Sequence, residues 1–315
     1  MWHERLKLAR QAAGLSLREL AAQVHYSRGY LHDLETGRRT PTPETAARLG
    51  VALGADLVLS EEAERLAWTA QHPSRPEPGV ADHLDMILAG LRRLEDTTSA
   101  AAVLPPVLAQ VDLVTTLADE VPDRDRLAVV DQLGQWTQFA GWLHAATGDL
   151  RRATEFYGRA LSAALEANRP DLAATALSMR GHLSWQTKRP GPLLSLTEAA
   201  LRQAVGPAVR LVAMQQLARG HALAGQVAEA DRAMERADRL ADQVTEVPPW
   251  MYFHDRAYLE MQRGLVLALL GRPEAAAEAV AAGLAGLEPG TAASAWTDQY
   301  RELLSAEPAD SPQTG

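Results

Sequence analysis

Residues 14–37 read GLSLRELAAQVHYSRGYLHDLETG and contain the signals for two short helices joined by a turn. Ser16 precedes Glu19 by three residues, the spacing of a capping box in which hydroxyl and carboxylate bind each other's backbone amides. Ser27 is a candidate N-cap for the second helix, and Gly37 indicates where that helix ends. The stretch therefore predicts a helix, a turn and a second helix within 24 residues.

Helical signals continue on both sides of this stretch. Residues 3–13 have apolar side chains at helical spacing, and a glycine follows them. Thr42 followed by Pro43 is typical of a helix start, and that helix should run to about residue 53. A last short segment over residues 55–68 completes a predicted domain of five helices.

The composition favours helices throughout the chain. Hydrophobic residues make up 47% of the 315 residues but aromatic ones only 5%, with Ala and Leu the commonest, which predicts an all-α fold. The absence of cysteine excludes disulfides, thiolate metal sites and cysteine nucleophiles. Because there is no signal peptide and no run of about 18 apolar residues, we expect a cytoplasmic protein that has no contact with a membrane.

Charge is divided unevenly along the chain. The formal net charge is -9, yet residues 1–40 hold seven basic and four acidic side chains, a net of +3, so the remainder carries -12. An acidic protein disfavours nucleic acid as a partner except where positive charge is concentrated. Only the N-terminal segment is therefore suited to bind phosphate.

The stretch QHPSRPEPG at residues 71–79 is rich in proline and polar residues and is typical of a linker. It divides the chain into a predicted N-terminal domain and a longer helical region that ends in a polar tail. The predicted limits are 1–68 for the first domain, 69–80 for the linker, 81–306 for the helical region and 307–315 for a disordered tail.

The helical region contains an internal repeat. Gly148, Gly225 and Gly271 each come just before a helical segment that has small residues five and twelve positions after the glycine. A weaker copy without the glycine begins at Lys188. The spacing of about 40 residues is typical of stacked helix pairs, so we expect an α-solenoid whose concave surface can bind a peptide, small-molecule or protein effector. Residues 81–120 lack the template and should cap or extend the array.

The N-terminal domain resembles the Cro/C1-type (XRE) family of helix-turn-helix regulators. The resemblance depends on residues 5–10, 14–16, 19–21, Ser27, Leu31, 34–39 and 41–43, in order and without a gap. It implies a lambda-repressor-like domain that binds a double-stranded DNA operator, with the helix after Ser27 in the major groove. The repeat region resembles, more loosely, the tetratricopeptide-like (TPR-like) sensor domains that are often fused to this module in actinobacterial regulators.

The resemblance also implies roles for individual residues. With Leu31 and Leu34 in the core, a helical wheel places Gly29, His32 and Asp33 on the outer side and Arg28 at its flank, and these four are the candidates for base readout. Arg28 is the candidate for a bidentate contact to guanine, and Asp33 should either accept from cytosine or orient Arg28. The candidate phosphate contacts are Ser16, Arg18, Ser27, Arg38, Arg39 and Thr40, with Arg5 beside them.

The resemblance also concerns the ion pair of Arg10 with Glu35 and the position of Leu17. Arg10 and Glu35 occupy places that form a buried ion pair in related repressors, so we expect them to hold the first helix to the third. Leu17 stands where many members of the family have a glutamine that touches phosphate and braces the recognition helix. Bracing by that residue is therefore not expected here.

Nothing in the sequence indicates catalysis, a cofactor or a metal. The nine histidines lack metal-ligand spacing, and no phosphate-binding loop, nucleophile elbow or supported carboxylate pair occurs. Two sets of side chains in the repeat region are interpreted either as packing residues or as lining of the groove. They are the histidines His144, His182 and His221 and the aromatics Trp136, Trp142, Trp185, Trp250, Tyr252 and Phe253.

Together these features predict a sequence-specific transcription regulator, not an enzyme. A homodimer is expected because helix-turn-helix operators are commonly two-fold symmetric, and the repeat region is the better candidate for its interface. The alternative is a protein-interaction scaffold whose helix-turn-helix no longer binds DNA.

Overall fold

The structure, a computed structural model, describes residues 2–39, 41–55, 57, 79–251, 256–287 and 297–305. Within these ranges there are fifteen α-helices, one turn of 3₁₀ helix and no strand, which confirms the all-α prediction. The described residues form two compact units. One unit comprises those of residues 1–84 together with 120–122, and the other comprises residues 85–119 and those from 123 onward.

The first unit contains four helices whose starts follow the predicted signals. They are α1 (Trp2–Ala12), α2 (Leu17–Val24), α3 (Arg28–Glu35) and α4 (Pro43–Leu53). Ser16 and Glu19 form both hydrogen bonds of the capping box, and the hydroxyls of Ser27 and Thr42 cap α3 and α4. Helix α2 ends at His25, whose left-handed backbone turns the chain toward α3.

The core of this unit joins all four helices. Leu6, Leu20, Leu31, Leu34 and Leu49 are fully buried in one cluster, which explains why these short helices are stable only together. Most of the predicted fifth helix and the linker, residues 58–78, lies outside the described residues, as does the predicted tail. The predicted limits of the first domain and the linker therefore stay predictions.

The second unit contains most of the remaining helices. They are α5 (Val80–Thr97), which crosses the division between the units, α6 (Ala100–Glu120), α7 (Asp123–Ala146), α8 (Leu150–Glu166), α9 (Pro170–Gln186), α10 (Pro190–Gln203), α11 (Pro207–Leu223), α12 (Val227–Ala241), α13 (Arg256–Leu269), α14 (Pro273–Gly286) and α15 (Asp298–Ser305). Eight of them pair as antiparallel hairpins, α7 with α8, α9 with α10, α11 with α12 and α13 with α14.

The hairpin turns confirm the repeat. Gly148, Gly225 and Gly271 have φ between 69° and 87°, the left-handed region in which glycine has no steric penalty. Lys188 has the same conformation, with φ 53°, in the turn between α9 and α10. The weaker copy is thus a full hairpin, in which a lysine takes the conformation that the other three copies give to glycine.

Small residues bring the paired helices close together. Ala153 and Ala160, five and twelve positions after Gly148, are fully buried. At the corresponding position of the last hairpin, a Cβ on Gly283 would lie 2.5 Å from Cγ of Met261, closer than packed atoms approach. The periodicity of small residues therefore sets the distance between the helices of each hairpin.

Helix α6 is the one described helix with the length and mean hydropathy, 1.5, to cross a membrane. Its valines Val103, Val107, Val111 and Val114 recur at three- and four-residue intervals and are buried inside the protein. This stripe is the pattern of a helix that packs one apolar face against neighbouring helices.

Candidate nucleic-acid interface and interior cavity

Helix α3 has a buried face and an exposed face. Leu31 and Leu34 are fully buried, whereas Arg28, Gly29 and His32 are exposed. A Cβ built on Gly29 meets nothing within 4 Å, so the backbone at the start of α3 is open to a close approach. The side chains of Arg28 and His32 make no hydrogen bond or ion pair within the described chain, so their polar groups are available to a partner.

The ion pair expected from the resemblance is present and braces α3. Arg10 donates from Nε to Oε1 of Glu35 at 2.6 Å and from Nη2 to Oε2 at 3.0 Å. Its Nη1 also donates to the carbonyl of Leu15, and both charged side chains are largely buried. The hydrogen bonds to Glu35 raise the pKa of Arg10 further, so the guanidinium stays charged. Helix α1 thus fixes the C-terminal end of α3.

Asp33 does not orient Arg28; it lies beside Arg39. Nε of Arg39 is 3.9 Å from Oδ2 of Asp33, and the Arg39 guanidinium also lies 5.7 Å from the centre of the Tyr30 ring. The reason is the turn at Gly37, which brings the chain back over α3 so that the amides of residues 38 and 39 both donate to the Asp33 carbonyl. Of the two roles expected for Asp33, orienting Arg28 is not seen within the chain, because this return of the chain places Arg39 beside the Asp33 carboxylate, and a contact to cytosine stays a prediction.

The candidate phosphate contacts lie at helix starts and after α3. Ser16 and Ser27 each accept a backbone amide as N-caps and so lie at the positive start of a helix. Arg18, Arg38 and Arg39 are exposed. Arg5 is exposed on α1, and Thr40 lies outside the described residues. Leu17 is partly buried and packs against the core, so it offers no polar contact.

A pair of tilted aromatic rings supports this surface, and the sequence did not suggest it. The rings of Tyr26 and Tyr30 are 5.2 Å apart, and the guanidinium of Arg48 lies 5.4 Å from the Tyr26 ring. The Tyr26 hydroxyl is also hydrogen-bonded to Thr45 on α4. Helix α4 is therefore tied to the turn before α3. The i,i+4 spacing of the two tyrosines could have suggested that their rings lie close together. It could not show which side of α3 the rings cover, because that depends on tertiary packing.

The second unit contains an interior cavity of about 80 Å³. Part of its wall is aromatic, with Phe139, Trp142, Trp250 and Tyr300 among the lining residues. Polar groups also reach it, and they include Gln216, whose buried Oε1 has no hydrogen-bond partner. Of the three histidines singled out in the sequence, His182 lines this cavity.

The other predicted groove residues are packing residues or lie outside the described chain. His144 is buried and stacked on Phe156 at 5.1 Å, and burial lowers its pKa. The His221 ring is hydrogen-bonded to the side chain of Gln226 near the end of α11. Trp136 is fully buried in the core. Tyr252 and Phe253 lie outside the described residues. Trp185 lies against a buried arginine, Arg219.

One carboxyl group of the cavity wall has a strongly shifted pKa. Burial, and to a lesser extent the adjacent Asp96, raise the pKa of Glu95 to about 7 against the opposing effect of a hydrogen bond from Trp142. Within the described residues there is no group of three or more His, Asp or Glu side chains placed to hold a metal ion. The cavity is therefore a mixed aromatic and polar site.

Comparison with known proteins identifies the first unit. A family model for a helix-turn-helix domain matches residues 4–63, whereas no curated protein matches the chain. Among solved structures, the chain is similar to the crystal structure of Bacillus thuringiensis PlcR in complex with the peptide PapR7 and DNA. That similarity covers 97% of this chain and 99% of the other, with 13% identity and a TM-score of 0.42. The N-terminal unit of this chain contains a helix-turn-helix domain.

Proposed function

We propose that this chain is a sequence-specific DNA-binding transcription regulator of the Cro/C1 (XRE) type. The observation that carries the proposal is the outer face of α3, where Arg28 and Gly29 are exposed beside the capping serine Ser27. A guanidinium on the outer side of a braced helix has the geometry for bidentate contact to guanine in the major groove. The positive N-terminal segment supplies the attraction to phosphate that the acidic remainder lacks.

The proposed regulator acts as a homodimer in the cytoplasm. Two copies of α3 read the two halves of a symmetric operator, with half-sites about one helical turn apart. The second unit, with its TPR-like hairpins, provides the dimer interface and a site for an effector that changes operator affinity. Its interior cavity supports the sensing role, because helical hairpins that only held two copies together would have no need of a polar cavity.

DNA binding by the purified full-length protein tests the proposal. The protein is incubated with a random duplex library at low salt, the retained sequences are enriched, and affinity is measured against salt concentration. Three arginines per domain, Arg18, Arg38 and Arg39, are candidates for phosphate contact, and a dimer doubles their number. The slope of log affinity against log salt should therefore be roughly -5. Retention of no duplex at low salt would overturn the proposal in favour of a protein-interaction scaffold.

A further inference from the structure

Arg219, on α11, is a buried cation without a carboxylate partner. Its side chain is 2% exposed, and within the described chain no Asp or Glu lies within ion-pair distance. Its Nη1 is 3.2 Å from Nδ1 of His182, its guanidinium is 4.9 Å from the centre of the Trp185 ring, and its Nε has no hydrogen-bond partner. Burial lowers the pKa of Arg219, since the charged form is poorly solvated there. Proteins rarely bury arginine without a counter-ion.

The contact with Arg219 fixes the protonation of His182. A guanidinium has only donors, so Nδ1 of His182 must accept and the ring proton must sit on Nε2. Burial and the neighbouring Arg219 lower the pKa of His182 to about 3, so the ring is neutral at physiological pH. His182 lines the cavity. The cavity therefore has an N–H donor that is polarised by a buried positive charge behind it.

The remaining walls limit what can bind beside this donor. Phe139 and Trp250 are 4% and 5% exposed, and with Trp142 they offer flat apolar surfaces. The charged side chains Arg92, Glu95 and Asp96 all line the cavity from α5, whereas His182 lines it from α9. A volume of about 80 Å³ excludes a peptide of several residues.

We propose that the cavity binds a small aromatic carboxylate. The ligand's ring packs between the aromatic side chains, and its carboxylate accepts the His182 N–H and supplies the counter-charge that Arg219 lacks. Occupation of the cavity is independent of what the first unit does. The further step, that the ligand alters operator affinity, rests on the proposed function.

Three isosteric probes test the ligand class on the full-length protein. Benzoate, benzamide and benzamidine share one ring and differ in charge. Binding is measured by calorimetry and by the fluorescence of tryptophan, since Trp142 and Trp250 line the cavity. We expect saturable binding of benzoate at least ten-fold tighter than that of the other two. Equal or tighter binding of benzamide or benzamidine, or no benzoate binding up to 20 mM, overturns the proposal.

Variants locate the site. Arg219→Met should weaken benzoate binding at least ten-fold and abolish the preference over benzamide. Arg210→Met, the same substitution at an exposed arginine on the same helix, should leave both unchanged. His182→Phe keeps the ring and removes the N–H donor, so it should also weaken benzoate binding, and it provides a second test should Arg219→Met not fold. Undiminished benzoate affinity in the folded variants contradicts the assignment.

A DNA-binding measurement separates the two proposals. Operator affinity is determined with and without saturating benzoate, using the duplexes enriched from the random library. If no duplex is retained but benzoate binds as described, the regulator proposal fails and the ligand site stands. If DNA is bound but the three probes are not distinguished, the ligand site fails and the regulator proposal stands.

Discussion

Arg10 and Glu35 are 25 positions apart in the sequence, yet two parallel hydrogen bonds join them across the interior of the first unit. The pair connects α1 to the last residue of α3. Both charged groups are largely buried. Removing the two charges from water costs free energy, but leaving one of them buried without its partner costs much more. This asymmetry leads to a prediction about single and double substitutions.

Glu35→Gln should destabilise the first unit by about 3 kcal/mol, because it leaves the Arg10 charge without its carboxylate. The double variant Arg10→Met with Glu35→Met should recover most of that loss, since it removes both buried charges. Free energies of unfolding from urea titrations give both values. Glu44→Gln is the matched control, because Glu44 forms an exposed pair with Arg48 and should cost less than about 0.5 kcal/mol. An equal loss from both single substitutions would contradict the argument.

Arg28 and Arg39 should differ in how their loss affects DNA binding. Arg28→Ala should cost about 1 to 3 kcal/mol for operators with one particular base pair and little for others. Arg39→Ala should weaken all sequences alike and reduce the salt slope by about 0.9 per domain. Binding to a set of single-base operator variants distinguishes the two. Arg151→Ala, an exposed arginine in the second unit, is the control and should change neither. Identical, sequence-independent losses from Arg28→Ala and Arg39→Ala would refute base readout by Arg28.

Substitution of Gly29 by alanine should change the stability of the protein and its affinity for DNA in opposite directions. A Cβ at this position meets no protein atom within 4 Å, and alanine is the better helix former, so Gly29→Ala should raise the free energy of unfolding by up to about 1 kcal/mol. The same methyl group would stand between α3 and the base edges, so DNA affinity should fall at least ten-fold. Thermal unfolding and a binding titration on one preparation give both values. A variant that is more stable and binds DNA as well as the parent would show that Gly29 does not face the bases.

Local signals predicted most of the helix boundaries in the first unit, because its caps are made by residues close in sequence. Ser16 with Glu19, Ser27, and Thr42 each satisfy backbone amides within three positions. The same reasoning gave no indication of the contact between Asp33 and Arg39, since Arg39 is brought over α3 by the turn at Gly37. Contacts that depend on the direction taken by a turn are not encoded in helical periodicity.

In the repeat region, too, local features were predictable from the sequence and contacts between distant residues were not. The glycine template identified the hairpin turns, and even the copy with Lys188 folds in the same way. The template gave no indication of Arg219, which on a helical wheel is only one basic residue among many. Its burial depends on Trp185 and His182 from the preceding hairpin, more than 30 positions away. The cavity could not be predicted because it is made by residues from helices that meet only in the stacked array.

Glu95 should make the stability of the second unit depend on pH. Its pKa is raised to about 7 in the folded protein and is near 4.5 in the unfolded chain, so the folded state holds the proton more tightly. Its contribution to stability is complete below pH 4.5 and is lost as the pH rises through 7. For a fully buried carboxyl, such a pKa shift would change the free energy of unfolding by about 3 kcal/mol. Because Glu95 is partly exposed to solvent, we expect roughly half of that change.

Glu95→Gln therefore should match the parent protein near pH 4.5 and be more stable by about 1 to 2 kcal/mol at pH 8. Urea titrations of both proteins across this pH range measure the difference between their free energies of unfolding. All other groups titrate alike in the two proteins, so their contributions cancel in that difference. Glu155→Gln, at an exposed glutamate on α8, is the control and should show a difference that does not change with pH. A pH-independent difference at position 95 would show that folding does not raise the pKa of its carboxyl.

Gly283 and Gly158 are both helical glycines, and substitution by alanine should affect them in opposite directions. At Gly283 a Cβ would lie 2.5 Å from Cγ of Met261 and 2.6 Å from the carbonyl oxygen of Ala257, and the backbone atom cannot rotate away. Gly283→Ala must therefore push α13 and α14 apart, at a cost of about 1 to 3 kcal/mol. At Gly158 no atom lies within 4 Å of the added methyl, so Gly158→Ala should stabilise the protein by up to about 1 kcal/mol. Calorimetric unfolding of the two variants compares them directly, and a Gly283→Ala protein as stable as its parent would mean that the hairpin tolerates a wider helix separation than its small residues indicate.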